Sequence, residues 1–292
     1  MYKILIWGTG LIYGHNLSLL QYFEHKNMFK IVAVTSNEYY LSKLDGYPFV
    51  PKKELHSLSF DYCIVALDNI NQILDEATQL GIPSNKLIPI SVLSTPLFDF
   101  DKYIAIKESP PTIISPNCFA GLCYHQFGLQ FKSPTINMFF RDDEYLPFIS
   151  NIHHYLQLPL EYIQDGYDPI TKHSYPICRL GDLYPHFNHY MTFENAYAKW
   201  NTRKERINWS NIIYTAYAVN PTMEQDYHSL SLEKKYIFVP HSPTHPESIH
   251  MPYDSSLYSH YGLALNQIAS YTNNQIDLLA LLNRQKNILR TL

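Results

Sequence analysis

Cys118 follows the β-branched run Thr112–Ile114 and the short turn Ser115-Pro116-Asn117, and a helical pattern begins directly after it. This order predicts a thiol in the first turn of a helix, at the carboxyl end of a strand, where open α/β sheets bind ligands. The helix dipole and unpaired N–H groups favour a thiolate there, so Cys118 is a candidate nucleophile. Asn117 and the residues after it are candidates to donate N–H groups to an oxyanion or phosphate. A buried cysteine at a tight turn explains the same pattern without chemistry.

The segment LYPHFNHY, residues 183–190, contains the candidate base for this thiol. We expect His189, or alternatively His186, to act as the general base, with Asp182 just before the segment orienting the imidazole. Taken singly, each of these residues is more often an ordinary polar residue than a catalytic one. Their grouping makes this the strongest His/Asp cluster in the sequence.

Three glycines near the amino terminus indicate a second type of site. Gly8 and Gly10 directly follow the apolar run Lys3–Trp7, and Gly14 lies four residues further on. A strand, a glycine turn and a helix in this order are typical of dinucleotide-binding units, in which the turn approaches a pyrophosphate. The spacing is GxGxxxG rather than GxGxxG, and Glu38 lies only loosely where a ribose-binding acid belongs. We therefore predict a Rossmann-like fold and treat Gly8, Gly10 and Gly14 as candidate cofactor-binding residues.

The elements that would position these residues form two α/β domains. Residues 1–105 predict a Rossmann-like, nucleotide-binding-type domain, and the proline-marked stretch Ser91–Pro111 predicts a linker. Residues 112–292 predict a second α/β domain with strands at Thr135–Phe140, Trp209–Val219 and Lys235–Val239. An amphipathic helix at Asn274–Leu292 would close this domain or pair subunits in a homo-oligomer.

Composition excludes several classes of partner. The chain has 292 residues, 46% hydrophobic and 16% charged, with a net charge of −4 and no basic block, which indicates a globular protein without a nucleic-acid partner. It contains no apolar run of about 20 residues and no secretory leader, so we expect a cytoplasmic protein without a membrane span.

The cysteines and loop histidines give no sign of a metal site. The cysteines at 63, 118, 123 and 178 form no CxxC pair, which favours reduced thiols over disulfides or zinc ligands. His241, His245 and His250 lie in a proline-rich loop with no evident scaffold, so we predict no metal site.

Three segments together resemble a bacterial family. They are SPNCFAGLCYHQFGLQFKSPTINMFF, YPICRLGDLYPHFNHY and FENAYAKWNTRKERINWSNI. They are similar to domains usually labelled exopolysaccharide or capsular polysaccharide biosynthesis proteins, over about residues 112–215. The first third of the chain resembles the small Rossmann-like domain found before sugar-modifying enzymes of bacterial surface polysaccharide pathways.

The resemblance implies a set of site residues and a pathway, but no reaction. The chain departs from the family pattern at Pro116, Phe119-Ala120, Cys178 and the segment Tyr214–Ala218. The implied site residues are Ser115, Asn117, Cys118, Gly121, Gly181, Asp182, His186, His189, Trp200, Arg203 and Arg206.

Three functions are compatible with these residues. The first is a cytoplasmic transferase that modifies a nucleotide-activated or lipid-linked sugar, with acyl transfer as the leading reaction. Here Cys118 would be the nucleophile or a donor-site residue, and Arg203 and Arg206 would meet a phosphate of coenzyme A or a nucleotide-sugar. The second is a non-catalytic nucleotide-sugar-binding scaffold. The third is a nicotinamide-dependent sugar oxidoreductase or epimerase, which is disfavoured because no Tyr-x-x-x-Lys pair follows the glycine turn.

Overall fold

A computed structural model describes residues 1–37, 42–169, 171–251, 265–266, 268–269 and 275–289. The chain divides into two compact units. The first contains Met1–Glu108 and Gln126–Gly128, and the second contains Ser109–His125 and Leu129–Leu292. Parallel sheets and helices occur in both, which confirms the predicted α/β class.

The first unit is built on a four-stranded parallel sheet. Its strands, in the spatial order β2-β1-β5-β6, are β1 (Tyr2–Trp7), β2 (Phe29–Thr35), β5 (Tyr62–Val65) and β6 (Leu87–Pro89). A small antiparallel hairpin is formed by β3 (Lys43–Leu44) and β4 (Tyr47–Pro48). The helices are α1 (Leu11–His25), α2 (Leu74–Gln79) and α3 (Phe100–Glu108). Short 3₁₀-helices occupy Lys52–Ser57, Ile70–Ile73, Ser84–Lys86 and Ile90–Ser94.

The strands of this sheet are short apolar runs because both sheet faces are covered. All four residues of β5 are buried, as are Ile4–Trp7 of β1, which is the pattern of parallel strands between layers. The predicted linker Ser91–Pro111 is wrong in part, since α3 lies within it. Phe100, Tyr103, Ile104 and Ile106 of α3 are buried, so this stretch belongs to a core despite its prolines.

The second unit contains a second four-stranded parallel sheet. Its spatial order is β12-β11-β10-β7, and the strands are β7 (Thr112–Ile114), β10 (Ile212–Tyr217), β11 (Lys235–Val239) and β12 (Ile249–His250). An antiparallel hairpin is formed by β8 (Glu161–Asp168) and β9 (His173–Arg179). The helices are α4 (Phe119–Gln126), α5 (Asp142–Ser150), α6 (Ile152–Gln157), α7 (Phe193–Lys204), α8 (Pro221–Ser229) and α9 (Leu278–Leu282).

Side-chain caps fix where the helices of this unit begin. Thr192 accepts a hydrogen bond from Asn195 N at the start of α7, and Asn220 accepts one from Met223 N at the start of α8. Aromatic side chains fill the core between helices and sheet, with Phe148 of α5 packed on Trp200 of α7. The buried Tyr145 hydroxyl contacts the carbonyls of Ile114 and Thr215 at 2.9 and 2.8 Å, and so ties α5 to the neighbouring strands β7 and β10.

Two predicted elements of this unit are wrong. Residues Thr135–Phe140 form no strand; they are a loop with one isolated bridge, between Phe139 and His186. Asn137 in this loop has φ +61°, which interrupts extended pairing. The predicted closing helix Asn274–Leu292 is reduced to α9, and residues 274 and 290–292 lie outside the described residues. A homo-oligomer formed through a long terminal helix therefore loses its structural basis. Within the described residues, every helix is too short or too polar to cross a bilayer.

Candidate functional site

The glycine turn of the first unit is shaped by Gly8. Gly8 has φ +105° and its N–H donates to Thr35 O at 2.8 Å, which joins the end of β1 to the end of β2. A Cβ at this position would lie 2.8 Å from Ala66 O, the carbonyl that follows β5. Both the backbone angle and the close approach therefore require glycine here.

A cavity of about 310 Å³ opens at this turn. It lies at the carboxyl ends of β1, β2 and β5, where the chain order of the sheet reverses direction and parallel α/β sheets hold ligands. Its lining residues are Trp7, Gly8, Thr9, Gly10, Ser36, Asn37, Lys52, Leu67, Gln72, Ile73 and Glu76. Glu38, the loosely matching ribose-binding acid, lies outside the described residues.

Lys52 is a cavity residue that the sequence interpretation missed. Its ammonium group lies 4.6 Å from the centre of the Trp7 ring, pairs with Glu76 at 2.7 Å and donates to Asn37 Oδ1. These contacts already balance the lysine charge. An incoming anionic ligand would therefore meet the turn backbone and the start of α1 first.

Of the three predicted glycines, Gly8 and Gly10 line the cavity and Gly14 does not. Gly10 is exposed and a Cβ there would have no atom within 4 Å. Gly14 is inside α1, exposed, and also has open space around it. The extra residue in the GxGxxxG spacing places Gly14 one position further along α1, outside the lining of this cavity, and its predicted cofactor contact stays a prediction.

The turn before α4 in the second unit is closed by its own side chains. Ser115 Oγ accepts a hydrogen bond from Ala120 N at 3.2 Å and donates to Asn117 O at 2.7 Å. Asn117 Oδ1 accepts from Phe119 N at 3.1 Å. The N–H groups of Phe119 and Ala120, which we expected to face an oxyanion, are therefore already bonded. Ser115 and Asn117 act as helix caps.

Cys118 lies where predicted, but its environment does not activate it. The side chain is half-buried, and burial raises the pKa of the thiol to about 11. Its sulfur makes no hydrogen bond to any residue in the described part of the chain. The expected stabilisation of a thiolate by the helix start is wrong, because two of the first N–H groups are taken and the thiol is desolvated.

The predicted imidazole and carboxylate partners do not assemble around Cys118. His186 is 5% exposed and stacks on Phe139 at 4.5 Å, with Nδ1 3.3 Å from the Tyr175 hydroxyl. Burial, followed by the charge of Arg141, lowers the pKa of His186 to about 4. Asp182 accepts a hydrogen bond from the Tyr155 hydroxyl at 2.9 Å instead of orienting a histidine.

His189 is the remaining candidate base. Its side chain is exposed and forms no hydrogen bond with the described residues. Asp182 therefore has no imidazole partner, and the structure provides no Cys-His-Asp arrangement as predicted.

Cys118 should accordingly react slowly with iodoacetamide. At a pKa of about 11 the thiolate fraction near neutral pH is about a hundredfold below that of an unperturbed thiol. The greater nucleophilicity of a more basic thiolate recovers about tenfold, so we expect alkylation about tenfold slower than for a cysteine peptide. Mass spectrometry of Cys118-containing peptides over a pH series measures this. The rate should rise with pH up to about 11, and a fast rate with a plateau near neutral pH would contradict it.

Arg203 forms the most unusual polar contact set of this unit. The side chain is 6% exposed, and Nη1 donates to Ile136 O at 3.2 Å and to the Tyr190 hydroxyl at 2.5 Å. The guanidinium also lies 5.1 Å from the centre of the Phe131 ring. No carboxylate pairs with Arg203 within the described residues, although buried arginines usually have one. Its Nε and Nη2 groups make no hydrogen bond there either, and they remain able to bind an anion.

Cys118 and Arg203 belong to one neighbourhood through Tyr190. Burial raises the pKa of the Tyr190 hydroxyl, Arg203 opposes this, and the Cys118 thiol adds a smaller upward effect. Arg206, the second predicted phosphate contact, is half-buried and its guanidinium is unpaired among the described residues.

Gly121 has a packing role. A Cβ on Gly121 would lie 3.4 Å from Ile136 Cγ2, in the segment whose carbonyl Arg203 contacts, so Gly121 fits α4 against that loop. Its predicted cofactor contact stays a prediction.

A second polar cluster, missed from the sequence, surrounds Glu224 of α8. Its carboxylate is fully buried and accepts hydrogen bonds from His241, Thr244 and the His245 N–H. Nothing in the local pattern PTMEQDYHS distinguishes this glutamate from the solvent-exposed acids that a short helix usually carries.

Comparison with known proteins finds family models that match both parts of the chain. Residues 1–88 match the family described as C2185-like, N-terminal. Residues 90–258 match the family described as Domain of unknown function (DUF1919). An uncharacterized protein of Haemophilus influenzae is 32% identical over 135 residues, which make up 45% of this chain and 62% of that protein. The DUF1919 match covers more than half of the chain, and the chain therefore belongs to the DUF1919 family.

Proposed function

We propose that this chain binds a nucleotide-activated sugar in its first unit and acts as a transferase in the synthesis of a bacterial surface polysaccharide. The observation that carries the proposal is the cavity at the Gly8–Gly10 turn, at the carboxyl edge of the parallel sheet. Its volume of about 310 Å³ suits one nucleotide moiety better than a complete dinucleotide. The turn and the start of α1 are suited to a diphosphate group.

The polysaccharide pathway rests on the resemblance of the three sequence segments, and the cytoplasm is the proposed location. Four cysteines without a disulfide, at 63, 118, 123 and 178, are typical of a reducing compartment. Coenzyme A remains a candidate acyl donor under this proposal, because acyl transfer does not require a protein thiolate.

The second unit contributes an anion-binding arginine in this proposal. Arg203 is buried beside Tyr190 and has no carboxylate partner among the described residues. Its guanidinium is therefore suited to pair with a phosphate or carboxylate of a substrate. The chemistry would proceed by direct attack of the acceptor on the donor. A covalent intermediate on Cys118 is disfavoured, since burial raises the pKa of its thiol to about 11.

A nucleotide-sugar-binding scaffold is the second candidate function. It is favoured by the unactivated Cys118 and by the separate hydrogen bonds of His186 and Asp182, which leave the predicted catalytic group unassembled. Turnover separates the two candidates: a transferase converts donor and acceptor, whereas a scaffold binds the same ligand and leaves it intact.

Gly10→Val should weaken nucleotide-sugar binding without unfolding the first unit. A side chain at Gly10 meets no protein atom within 4 Å, yet it would occupy the space through which a diphosphate approaches the turn. Isothermal titration with a panel of nucleotide-sugars, and with reduced nicotinamide cofactor, should give affinity at least about tenfold weaker in the variant, which is about 1.4 kcal/mol.

Gly14→Ala is the matched control. Gly14 is also exposed, also has open space, and does not line the cavity. Its replacement should leave binding unchanged and stabilise α1 by about 0.5–1 kcal/mol. Equal binding by wild type and Gly10→Val would remove the proposed site. Tight binding of the nicotinamide cofactor alone would replace the transferase by the oxidoreductase.

A further inference from the structure

His228, His245 and Glu247 bring three metal-ligand groups together in the second unit. One ring nitrogen of each histidine and one carboxylate oxygen of Glu247 all lie within 4.8 Å of one another. His228 is near the end of α8, and the other two residues follow β11 in the loop before β12. The two imidazole rings stack with centroids 3.5 Å apart. Residues from separate elements thus bring three donor groups within 4.8 Å of one another.

Hydrogen bonds fix the orientation of the His228 ring. Its Nε2 lies 2.8 Å from Ser248 Oγ, and the Ser248 hydroxyl in turn bonds to the buried Glu224 carboxylate. The tautomer of His228 that suits a cation carries the ring proton on Nε2, which then donates to Ser248 Oγ while the Ser248 hydroxyl donates to Glu224. Nδ1 is left with its lone pair and makes no hydrogen bond to the described residues. A carboxylate that orients a ligand histidine in this manner is typical of metal sites.

His245 is held by the same carboxylate. Its backbone N–H donates to Glu224 Oε1 at 2.9 Å, while its ring Nδ1 accepts from Glu247 N at 3.2 Å. A cation bound at this Nδ1 would have to displace the hydrogen bond from Glu247 N, which at 3.2 Å is long for its type. The Glu247 side chain is exposed and both histidines are half-buried, so a cation can reach the group from solvent.

We propose that His228, His245 and Glu247 form a binding site for a zinc-class divalent cation, with Glu224 and Ser248 as positioning residues. Two imidazoles and one carboxylate are a ligand set that suits Zn²⁺, and three protein ligands leave a coordination position for water or a ligand oxygen. The hard cations Mg²⁺ and Ca²⁺ prefer all-oxygen surroundings and fit this set poorly. The proposal is independent of nucleotide-sugar binding in the first unit.

From the sequence we predicted no metal site, and this cluster argues against that prediction. The loop histidines alone suggested no scaffold. His228, which completes the group, is 17 residues earlier in the chain than His245, on a helix that the loop packs against.

The full chain, freed of metal by chelation, tests the proposal by titration calorimetry with Zn²⁺. We expect one high-affinity site per chain in the wild type. His245→Gln should weaken it by about a hundredfold or more, and Glu247→Gln, a change at an exposed side chain, by about tenfold. Co²⁺ should give an absorption spectrum of a low-coordinate nitrogen and oxygen site, and this spectrum should be lost in both variants.

His250→Gln is the control, since His250 is exposed, near in sequence, and outside the cluster. It should bind Zn²⁺ as the wild type does. Circular dichroism checks that each variant is folded. If His245→Gln does not fold, Glu247→Gln still tests the site, because its side chain is exposed. Absence of Zn²⁺ binding by the wild type, or equal affinity in wild type and Glu247→Gln, would overturn the site.

Discussion

Glu224→Ala should lower the free energy of unfolding of the second unit by about 3–5 kcal/mol. The carboxylate is fully buried. Burial alone would raise its pKa, but hydrogen bonds from Ser248, Thr244, His241 and His245 lower the pKa of Glu224 to about 2. Removing the carboxylate leaves the Thr244 and His245 N–H groups without their acceptor, and each such loss costs about 1–3 kcal/mol. Urea unfolding monitored by circular dichroism measures the effect.

Glu161→Ala is the control, because it removes an exposed, ion-paired carboxylate, whereas Glu224→Ala removes a buried one. Glu161 pairs with Arg179 across the β8–β9 hairpin, and both side chains are about half exposed, at 45% and 50%. An exposed pair contributes at most about 1 kcal/mol, so this variant should unfold close to the wild-type midpoint. If the Glu224 and Glu161 variants lose the same stability, the carboxylate of Glu224 does not hold the loop after β11.

The fold could be predicted in outline because parallel strands and glycine turns leave local patterns. The runs at Lys3–Trp7 and Lys235–Val239 are apolar without alternation, as strands covered on both faces must be. Thr135–Phe140 has a similar composition but forms no strand. Its backbone makes hydrogen bonds to side chains instead of to a neighbouring strand, since the carbonyl of Ile136 accepts from Arg203 Nη1 and from the Tyr190 hydroxyl. That choice depends on residues more than fifty positions away, which no local pattern reveals.

The candidate site could be located from the sequence, but its chemistry could not. The Cys118 turn is where a strand ends and a helix begins, and both features are local. Whether the thiol ionises depends on burial by other segments, and burial raises its pKa to about 11. Nothing in the local sequence distinguishes Glu224 and His228 from other polar residues of a short helix. Their partners lie in the loop after β11, so only the tertiary fold reveals the cluster.

Arg203→Met should abolish anion binding by the second unit at a small cost in stability. The Ile136 carbonyl keeps a donor in the variant, because the Tyr190 hydroxyl also contacts it at 3.1 Å. An unbranched methionine can replace the arginine stem against Phe131. The free energy lost with the charge-assisted hydrogen bonds is offset in part, because the variant no longer has to desolvate a guanidinium that lacks a carboxylate partner. We therefore expect a loss of only about 1–2 kcal/mol.

Pyrophosphate is the probe for this prediction, used in the Gly10→Val background so that the first-unit cavity does not contribute. At about ten times its dissociation constant the anion should stabilise the second unit by about 1.4 kcal/mol, and Arg203→Met should remove this gain. Arg206→Met is the matched control, since Arg206 lies three residues further on, in the turn after α7, and is less buried. Equal stabilisation of the Arg203→Met variant, or none of the parent, would show that the buried guanidinium serves packing alone. Loss of the gain only in Arg206→Met would move the anion contact to that residue.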